Sequence, residues 1–358
     1  MRNKSSSKLQ FNKVKFCTFC VLIMLISLFC GCGQDTKIVL TTGFGEHEIF
    51  RIDAEKCEAQ EAYIYLANIK NQYSSVFGNE IWSTTQNGSS LEDNVKSTVL
   101  SRLAKIKMMK LLAANYDLEL ESSEEDKCKS AAREYYATLT SEEKSMMGDV
   151  SEDIILGMYE DYALADKVYQ YLTKDVNVEI SDDEARTVIV KQISFITKSV
   201  DENGNVDEAS DLDKQIKQGQ ADQARAAISQ GKEFEEVLLE YSAGDNEVHY
   251  YRKGELEQSL EEAVFALGKD EISPVINGSD GLYIFYCVNP NDTSRTDESK
   301  AQIISERKKK VFNDIYDMFT TDKKCYLNED LWNGLTYNNT TMNGTTNFFE
   351  VYDKYFTE

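Results

Sequence analysis

Four short segments decide the fold: residues 232–242 (KEFEEVLLEYS), 253–267 (KGELEQSLEEAVFAL), 271–275 (EISPV) and 280–285 (DGLYIF). The first two place apolar residues at helical spacing, and the last two are short apolar runs typical of strands. Upstream, residues 187–197 (TVIVKQISFIT) alternate like a half-buried strand. We therefore expect an α+β domain over residues 181–290, with helices at 208–230, 233–242 and 258–266 and strands at 187–197, 248–251, 272–276 and 282–288.

Residues 51–180, on the N-terminal side of this domain, predict a run of helices that no proline interrupts. Ser90 with Asp93, and Ser123 with Asp126, are spaced as helix N-caps, and Ser181 with Glu184 forms a capping box ahead of the first strand. Residues 296–320 predict one more long helix within a C-terminal region at 291–358. Its tail is polar, but the aromatic residues near its end favour docking on the N-terminal region.

The start of the chain has the three zones of an export signal. Five basic residues and no acid precede an apolar run at 16–29, which is shorter than the roughly 20 residues of a spanning helix. Gly31-Cys32-Gly33 follows and resembles the lipobox of Gram-positive lipoproteins. We expect residues 1–31 to be removed and Cys32 to carry lipid, with 32–50 as a tether and a short strand. An uncleaved membrane anchor is the alternative, and either outcome puts the rest of the chain on the extracytoplasmic face of the membrane.

Charge excludes one class of partner. Without residues 1–31 the chain has 34 Lys and Arg against 62 Asp and Glu, a net charge of −28. Nucleic acid binding needs cations against phosphates, so we expect no nucleic acid partner. Such a charge also favours solubility beside unfolded chains, although solvated helix faces explain it equally well.

Metal and cofactor binding are not indicated. The two histidines, His47 and His249, have no partner at ligand spacing, and the polar run 201–205 has its glycine at the wrong place for a calcium loop, so we predict a turn there. We expect no metal and no cofactor. Beyond Cys32 the cysteines are widely spaced, which favours separate, partly buried thiols over a disulfide; they are Cys57, Cys128, Cys287 and Cys325.

The four segments quoted above resemble, in order and spacing, the parvulin-type peptidyl-prolyl isomerases. The KEFEEVLLEYS helix, the KGELEQSLEEAVFAL stretch and the closing EISPV and DGLYIF strands each match a segment of that family. The layout of N-terminal helices, inserted parvulin-like domain and return helix on a lipid anchor resembles the PrsA-type foldase lipoproteins and SurA-type chaperones. The resemblance implies a mostly helical chaperone lobe built from both chain ends.

The resemblance also assigns candidate site residues. The family's apolar proline pocket corresponds to Leu256, Leu260 and Phe265. Its two histidine positions correspond to Ser194 and Tyr283, and its Cys or Asp position falls at Ala243-Gly244, beside Asp245. Ser194 and Tyr283 either hydrogen-bond each other across adjacent strands or merely hold the sheet together, and we favour the second interpretation.

Two functions follow from this resemblance. The first is an extracytoplasmic foldase that isomerises X–Pro bonds in unfolded or partly folded exported polypeptides. The second is a holdase that uses the parvulin-like domain only to bind clients. Because both histidine positions are replaced, we expect weak isomerase activity or none.

Overall fold

The structure, a computed structural model, describes residues 43–86, 88–201, 204–241, 248–335 and 348–357. Its helices are α1 (Ala59–Phe77), α2 (Leu91–Asn115), α3 (Ser122–Thr138), α4 (Ser141–Met146), α5 (Glu152–Thr173), α6 (Asp182–Ala185), α7 (Asp211–Ser229), α8 (Phe234–Tyr241), α9 (Gln258–Ala266), α10 (Thr293–Thr320), α11 (Glu329–Gly334) and α12 (Phe348–Phe356). Its strands are β1 (Glu48–Ile52), β2 (Glu55–Glu58), β3 (Thr85–Gln86), β4 (Ser89–Ser90), β5 (Thr187–Ile196), β6 (Lys198–Val200), β7 (Val206–Glu208), β8 (His249–Arg252), β9 (Ile276–Asn277), β10 (Gly281–Asn289) and β11 (Cys325–Leu327). The fold is α+β and largely helical, as the sequence predicts.

Backbone contacts divide the chain into two compact units. The terminal unit comprises Met1–Asp175 and Lys309–Glu358, and the central unit comprises Val176–Lys308. The predicted signal and Cys32 lie outside the described residues. Among the residues that are described, no helix is both long and apolar enough to cross a membrane.

The terminal unit is organised around one large apolar core supplied by α1, α2, α3, α5 and both C-terminal helices. Strand β11 pairs antiparallel with β1, so residues from both ends of the chain share one small sheet. Ser90 caps α2 by accepting the backbone N–H of Asp93, as predicted. The predicted N-cap at Ser123 is wrong: Ser123 lies inside α3, and the N-cap is Glu121, whose N–H donates to the Glu124 carboxylate.

Helix α12 is anchored in this core through its first residue. Phe348 is fully buried, its ring stacks on that of Tyr159 at 4.1 Å, and its N–H donates to Asn68 Oδ1 at 2.7 Å. The Tyr159 hydroxyl donates to the Phe348 carbonyl at 2.9 Å. Both backbone polar groups of a buried residue are therefore satisfied by side chains of α1 and α5.

A buried charge cluster joins α1, α2 and α5. The Lys107 ammonium lies 2.8 Å from Glu61 Oε2 and 2.7 Å from Asp161 Oδ2, and all three side chains are about nine-tenths buried. Lys110, which is more exposed, reaches the other oxygen of Asp161 at 3.1 Å. Burial alone would lower the pKa of Lys107, but the two carboxylates outweigh it and raise that pKa. The lysine is thus held charged in the interior.

The central unit is built on a four-stranded antiparallel sheet in the order β8-β5-β10-β9. One face packs against α7 and α8 through a cluster that includes Ile193, Phe195 and Ile284. The opposite face packs against α9 through a second cluster that includes Val190 and Phe285. Alternation along β5 and β10 assigns successive side chains to the two faces.

Two smaller features bear on the sequence predictions. Val200 of β6 pairs with Val206 of β7, and Asn205 donates its N–H to Asp201 Oδ1 at 2.8 Å, whereas residues 202 and 203 of the run predicted as a turn lie outside the described residues. The cysteines of the described residues are free thiols; Cys57, Cys128 and Cys287 are buried and Cys325 is partly exposed.

Candidate functional site

The three residues expected to form the proline slot lie in one apolar cluster. Helix α9 carries Leu260 and Phe265, and Leu256 lies just before it; all three pack on the sheet face formed by β5 and β10. Leu260 is 7% exposed, so it is the floor of the cluster, whereas Leu256 and Phe265 are only half-buried. The side chains that a ligand would touch first are therefore Leu256 and Phe265.

Ser194 and Tyr283 face each other in the sheet as direct partners of β5 and β10. The proton of the Tyr283 hydroxyl is donated to Asp280 Oδ1 at 2.7 Å, three residues back along the chain. Burial and this hydrogen bond both raise the pKa of Tyr283, so the phenol stays protonated at neutral pH. Tyr283 is thus a neutral donor whose proton is directed to its own turn, and Ser194 lies half-buried beside it.

Asp245, the third polar candidate, lies outside the described residues. On β8, Tyr251 donates its hydroxyl to Gln192 Oε1 at 2.8 Å and packs on the same cluster. Tyr250 is 40% exposed instead, with the Arg295 guanidinium 3.5 Å from its ring centre. His249 is partly exposed, and its ring lies parallel to that of Tyr251 with centres 6.1 Å apart.

The turn between β9 and β10 forms one lip of the cluster. Glu257 Oε1 accepts the N–H of Ser279 at 2.8 Å, which ties this turn to the residue before α9. A Cβ atom at Gly278 would lie 2.9 Å from that carboxylate oxygen and 2.9 Å from the Tyr283 ring, so a larger residue there would displace both side chains. Glu257 and Asp280 were not predicted as site residues, since a carboxylate in a polar turn carries no distinguishing local pattern.

Arg186 supports the opposite side of the cluster. Its guanidinium lies 4.9 Å from the Phe265 ring centre, and its Nη2 donates to the Phe265 carbonyl at 3.1 Å. This contact holds the end of α9, and with it Phe265, against the start of β5. It is a cation–π contact of the usual geometry.

This arrangement is suited to binding and desolvating an apolar ring. Rotation about an X–Pro bond has a barrier of about 18–20 kcal/mol. Lowering it requires removing the imide from water and stabilising the twisted state. The apolar residues supply the first requirement. For the second, the described residues offer hydroxyl groups where the parvulin resemblance expects histidines. No group of three His, Cys, Asp or Glu side chains able to hold a metal ion occurs among the described residues.

A comparison with protein-family models identifies this region. Residues 193–289 match the rotamase family described as the PPIC-type PPIase domain. The match begins within β5, ends with β10 and includes the three apolar candidates as well as Ser194 and Tyr283. No curated protein matches the chain.

Several solved structures are similar to the chain at low identity. The PrsA peptidylprolyl isomerase of Bacillus cereus is 14% identical, covering 77% of this chain and 98% of its own, with a TM-score of 0.35. The foldase protein PrsA of Lactococcus lactis is 12% identical, covering 82% and 99%, with a TM-score of 0.31. A structure from work on two SurA-like chaperones of Campylobacter jejuni is 12% identical, covering 79% and 99%, with a TM-score of 0.26.

Proposed function

We propose that this chain, whose residues 193–289 form a PPIC-type peptidyl-prolyl isomerase domain, is a lipid-anchored extracytoplasmic foldase. Its clients are unfolded or partly folded exported polypeptides. The proline-containing segments of these clients bind at Leu256, Leu260 and Phe265. The lipid on Cys32 attaches the protein to the membrane. Residues 51–180 and 291–358 form the chaperone lobe, and residues 181–290 form the isomerase domain.

The observation that carries this proposal is the apolar cluster on the α9 face of the sheet, inside the matched domain. Proline presents an apolar ring next to a polar imide. A surface of half-buried Leu256 and Phe265 over a buried Leu260 takes up the ring and removes water from the bond. That is sufficient for binding and supports some acceleration of isomerisation.

The polar part of the site favours low turnover. The Tyr283 proton is engaged by Asp280, so a substrate carbonyl competes with a charge-assisted hydrogen bond for the same donor. Removing one pre-organised donor from a catalytic site typically costs about 10²–10³ in rate. The alternative function, a holdase without isomerase activity, is favoured by this one contact.

The test is a protease-coupled proline isomerisation assay on the protein without residues 1–31. We expect a rate above the uncatalysed one but at least about 10²-fold below that of a parvulin with both histidines. Leu256→Ala is expected to reduce both proline-peptide binding and rate several-fold. Leu239→Ala is the matched control, because Leu239 is 58% exposed on α8 and lies outside the cluster.

Two further variants distinguish the hypotheses. Ser194→Ala and Tyr283→Phe are expected to change turnover less than tenfold, because neither hydroxyl is proposed to stabilise the twisted bond. Activity equal to that of a histidine-bearing parvulin, lost in either variant, would overturn this account of the site. A rate indistinguishable from the uncatalysed one, with proline-peptide binding retained, would establish the holdase instead.

A further inference from the structure

A second candidate binding site lies in the terminal unit, in a groove of about 100 Å³ between α2 and α5. Its floor is apolar, with Met109 from α2 and Ala165 from α5. Tyr162 and Tyr169 flank Ala165 on the same face of α5, since residues three and four apart share a helix face. The small alanine between two tyrosines leaves a notch open to one apolar side chain.

The α2 side of this groove is cationic. Arg102 lines it, donating from Nη2 to the Tyr162 hydroxyl at 3.2 Å, with its guanidinium 4.2 Å from the Phe349 ring centre. Within the described part of the chain, no carboxylate oxygen lies within 4 Å of the Arg102 nitrogens. Lys105, one turn further along α2, holds its ammonium above the rings of Phe312 and Tyr316 at 5.1 and 5.2 Å.

One acidic residue, Asp166, also lines the groove, and its carboxylate already accepts a hydrogen bond. Asp166 accepts the hydroxyl of Tyr352 at 2.7 Å. Burial and the nearby Asp353 carboxylate raise the pKa of Asp166 above its ordinary value, although Tyr352 and Arg102 act in the opposite direction. The side chains lining the groove therefore carry two cations, Arg102 and Lys105, against one engaged carboxylate. Asp353 is a second acid near the guanidinium: burial raises its pKa and Arg102 opposes that change.

We propose that this groove binds a polypeptide segment in which a large apolar side chain is adjacent to an acidic one. The apolar side chain enters the notch at Ala165, between Tyr162 and Tyr169, and the neighbouring carboxylate pairs with Arg102. The α2 residues that line the groove run from Thr98 to Met109. At about 1.5 Å per helical residue and 3.3 Å per extended residue, that length accommodates roughly five residues of extended peptide.

Charge complementarity at Arg102 argues for this occupant. The acidic surface of the chain repels acidic polypeptides at long range, so an acidic segment gains most where the Arg102 guanidinium meets an apolar surface. A charge-assisted bond from Arg102 is strong because the guanidinium already lies among aromatic rings, partly removed from water. This site lies in the terminal unit, so it extends the proposed function to segments that contain no proline.

The test is fluorescence anisotropy with labelled, proline-free heptapeptides. One probe has Phe-Asp at its centre, a second has Phe-Asn and a third has Ser-Asp. For the unmodified protein, we expect the Phe-Asn and Ser-Asp probes to bind about tenfold more weakly than Phe-Asp. Binding of Phe-Asp should also weaken between 50 and 500 mM salt, about where exposed charges become screened.

Variants then assign the effect to residues. Arg102→Met should remove the preference for Phe-Asp over Phe-Asn while leaving weak binding of both, which is the coupling that a double-mutant cycle isolates. Ala165→Leu should fill the notch and weaken every Phe probe about tenfold. Arg133→Met is the matched control, because Arg133 is 78% exposed on α3 and does not line the groove.

Equal binding of Phe-Asp and Phe-Asn, or an unchanged preference in Arg102→Met, would overturn the proposal. So would Arg102-dependent binding to phosphatidylglycerol vesicles without peptide binding, which would assign the groove to anionic lipid. Because the probes contain no proline, these outcomes are independent of the isomerase assay. Failure of that assay with peptide binding intact would refute the proposed enzyme and leave this site standing.

Discussion

Replacing Lys107 with methionine tests whether the buried charge cluster holds the terminal unit together. The substitution keeps the apolar stem of the side chain and removes only its charge. Glu61 then loses the ammonium at 2.8 Å and keeps the N–H of Glu58 at 3.0 Å. Asp161 keeps Lys110 at 3.1 Å.

The expected loss of stability follows from the contacts that the two carboxylates keep. Removing one partner of a buried ion pair costs about 3–5 kcal/mol. Because Lys110 still neutralises Asp161, we expect the lower end, about 3 kcal/mol. For a unit of this size, that loss corresponds to a fall in melting temperature of roughly 6–12 °C.

The loss should depend on pH. Burial already raises the pKa of Glu61, while Lys107 lowers it, so without Lys107 this pKa moves further up in the folded state. The folded variant then binds a proton more tightly than the unfolded chain does. Its stability therefore rises as pH falls from 7 toward 5, and the difference from the unmodified protein shrinks.

Tryptophan fluorescence is the appropriate readout, because both tryptophans of the chain, Trp82 and Trp332, belong to the terminal unit. Lys129→Met is the matched control: its ammonium is half exposed beside Asp126 and should contribute about 0–1 kcal/mol. A Lys107→Met shift no larger than that of the control would refute this reasoning. So would a shift that grows as pH falls.

Three further predictions concern the two ends of the chain. Asn68→Ala should leave the buried Phe348 N–H without its acceptor, which costs about 1–3 kcal/mol. Amide hydrogen exchange across α12 should then become faster, and unchanged exchange there would contradict the anchoring role. A chain ending at residue 292 should melt lower and aggregate more than the full chain, because the apolar stripes of α1–α5 lose their C-terminal partners; equal melting temperatures would argue against a shared core. Cys32→Ser should abolish acyl labelling, and uptake of labelled palmitate by this variant would show that lipid is attached elsewhere.

What the sequence predicts well is what depends on neighbours along the chain. The cap at Ser90 and the alternation of residues 187–197 each involve contacts or faces set by residues a few positions apart. The apolar candidates Leu256, Leu260 and Phe265 were assigned by the resemblance to the parvulin family, and the structure places them in one cluster because α9 and the loop before it carry all three.

What the sequence does not predict depends on distant partners or on competition for one proton. From its neighbours in the sequence, Lys107 would be assigned to a solvent-exposed helix face. Nothing near it in the sequence indicates that Glu61 and Asp161 form ion pairs with it. For the Tyr283 hydroxyl the sequence offered one hydrogen-bond partner, Ser194 across the sheet, and did not indicate Asp280 in its own turn. Only the three-dimensional path of the turn decides for Asp280.

The anchoring of Phe348 by Asn68 also governs when the protein can finish folding. These residues are 280 positions apart, which at about 5–20 residues per second separates their synthesis by roughly 15–55 s. Until Phe348 is made the early helices lack the aromatic side chains that complete their core, whereas all the residues of the central unit's own clusters are made before it. A chain truncated before Phe348 therefore exposes apolar residues that the intact protein buries. A protease that recognises exposed apolar segments can distinguish the truncated chain from the intact one.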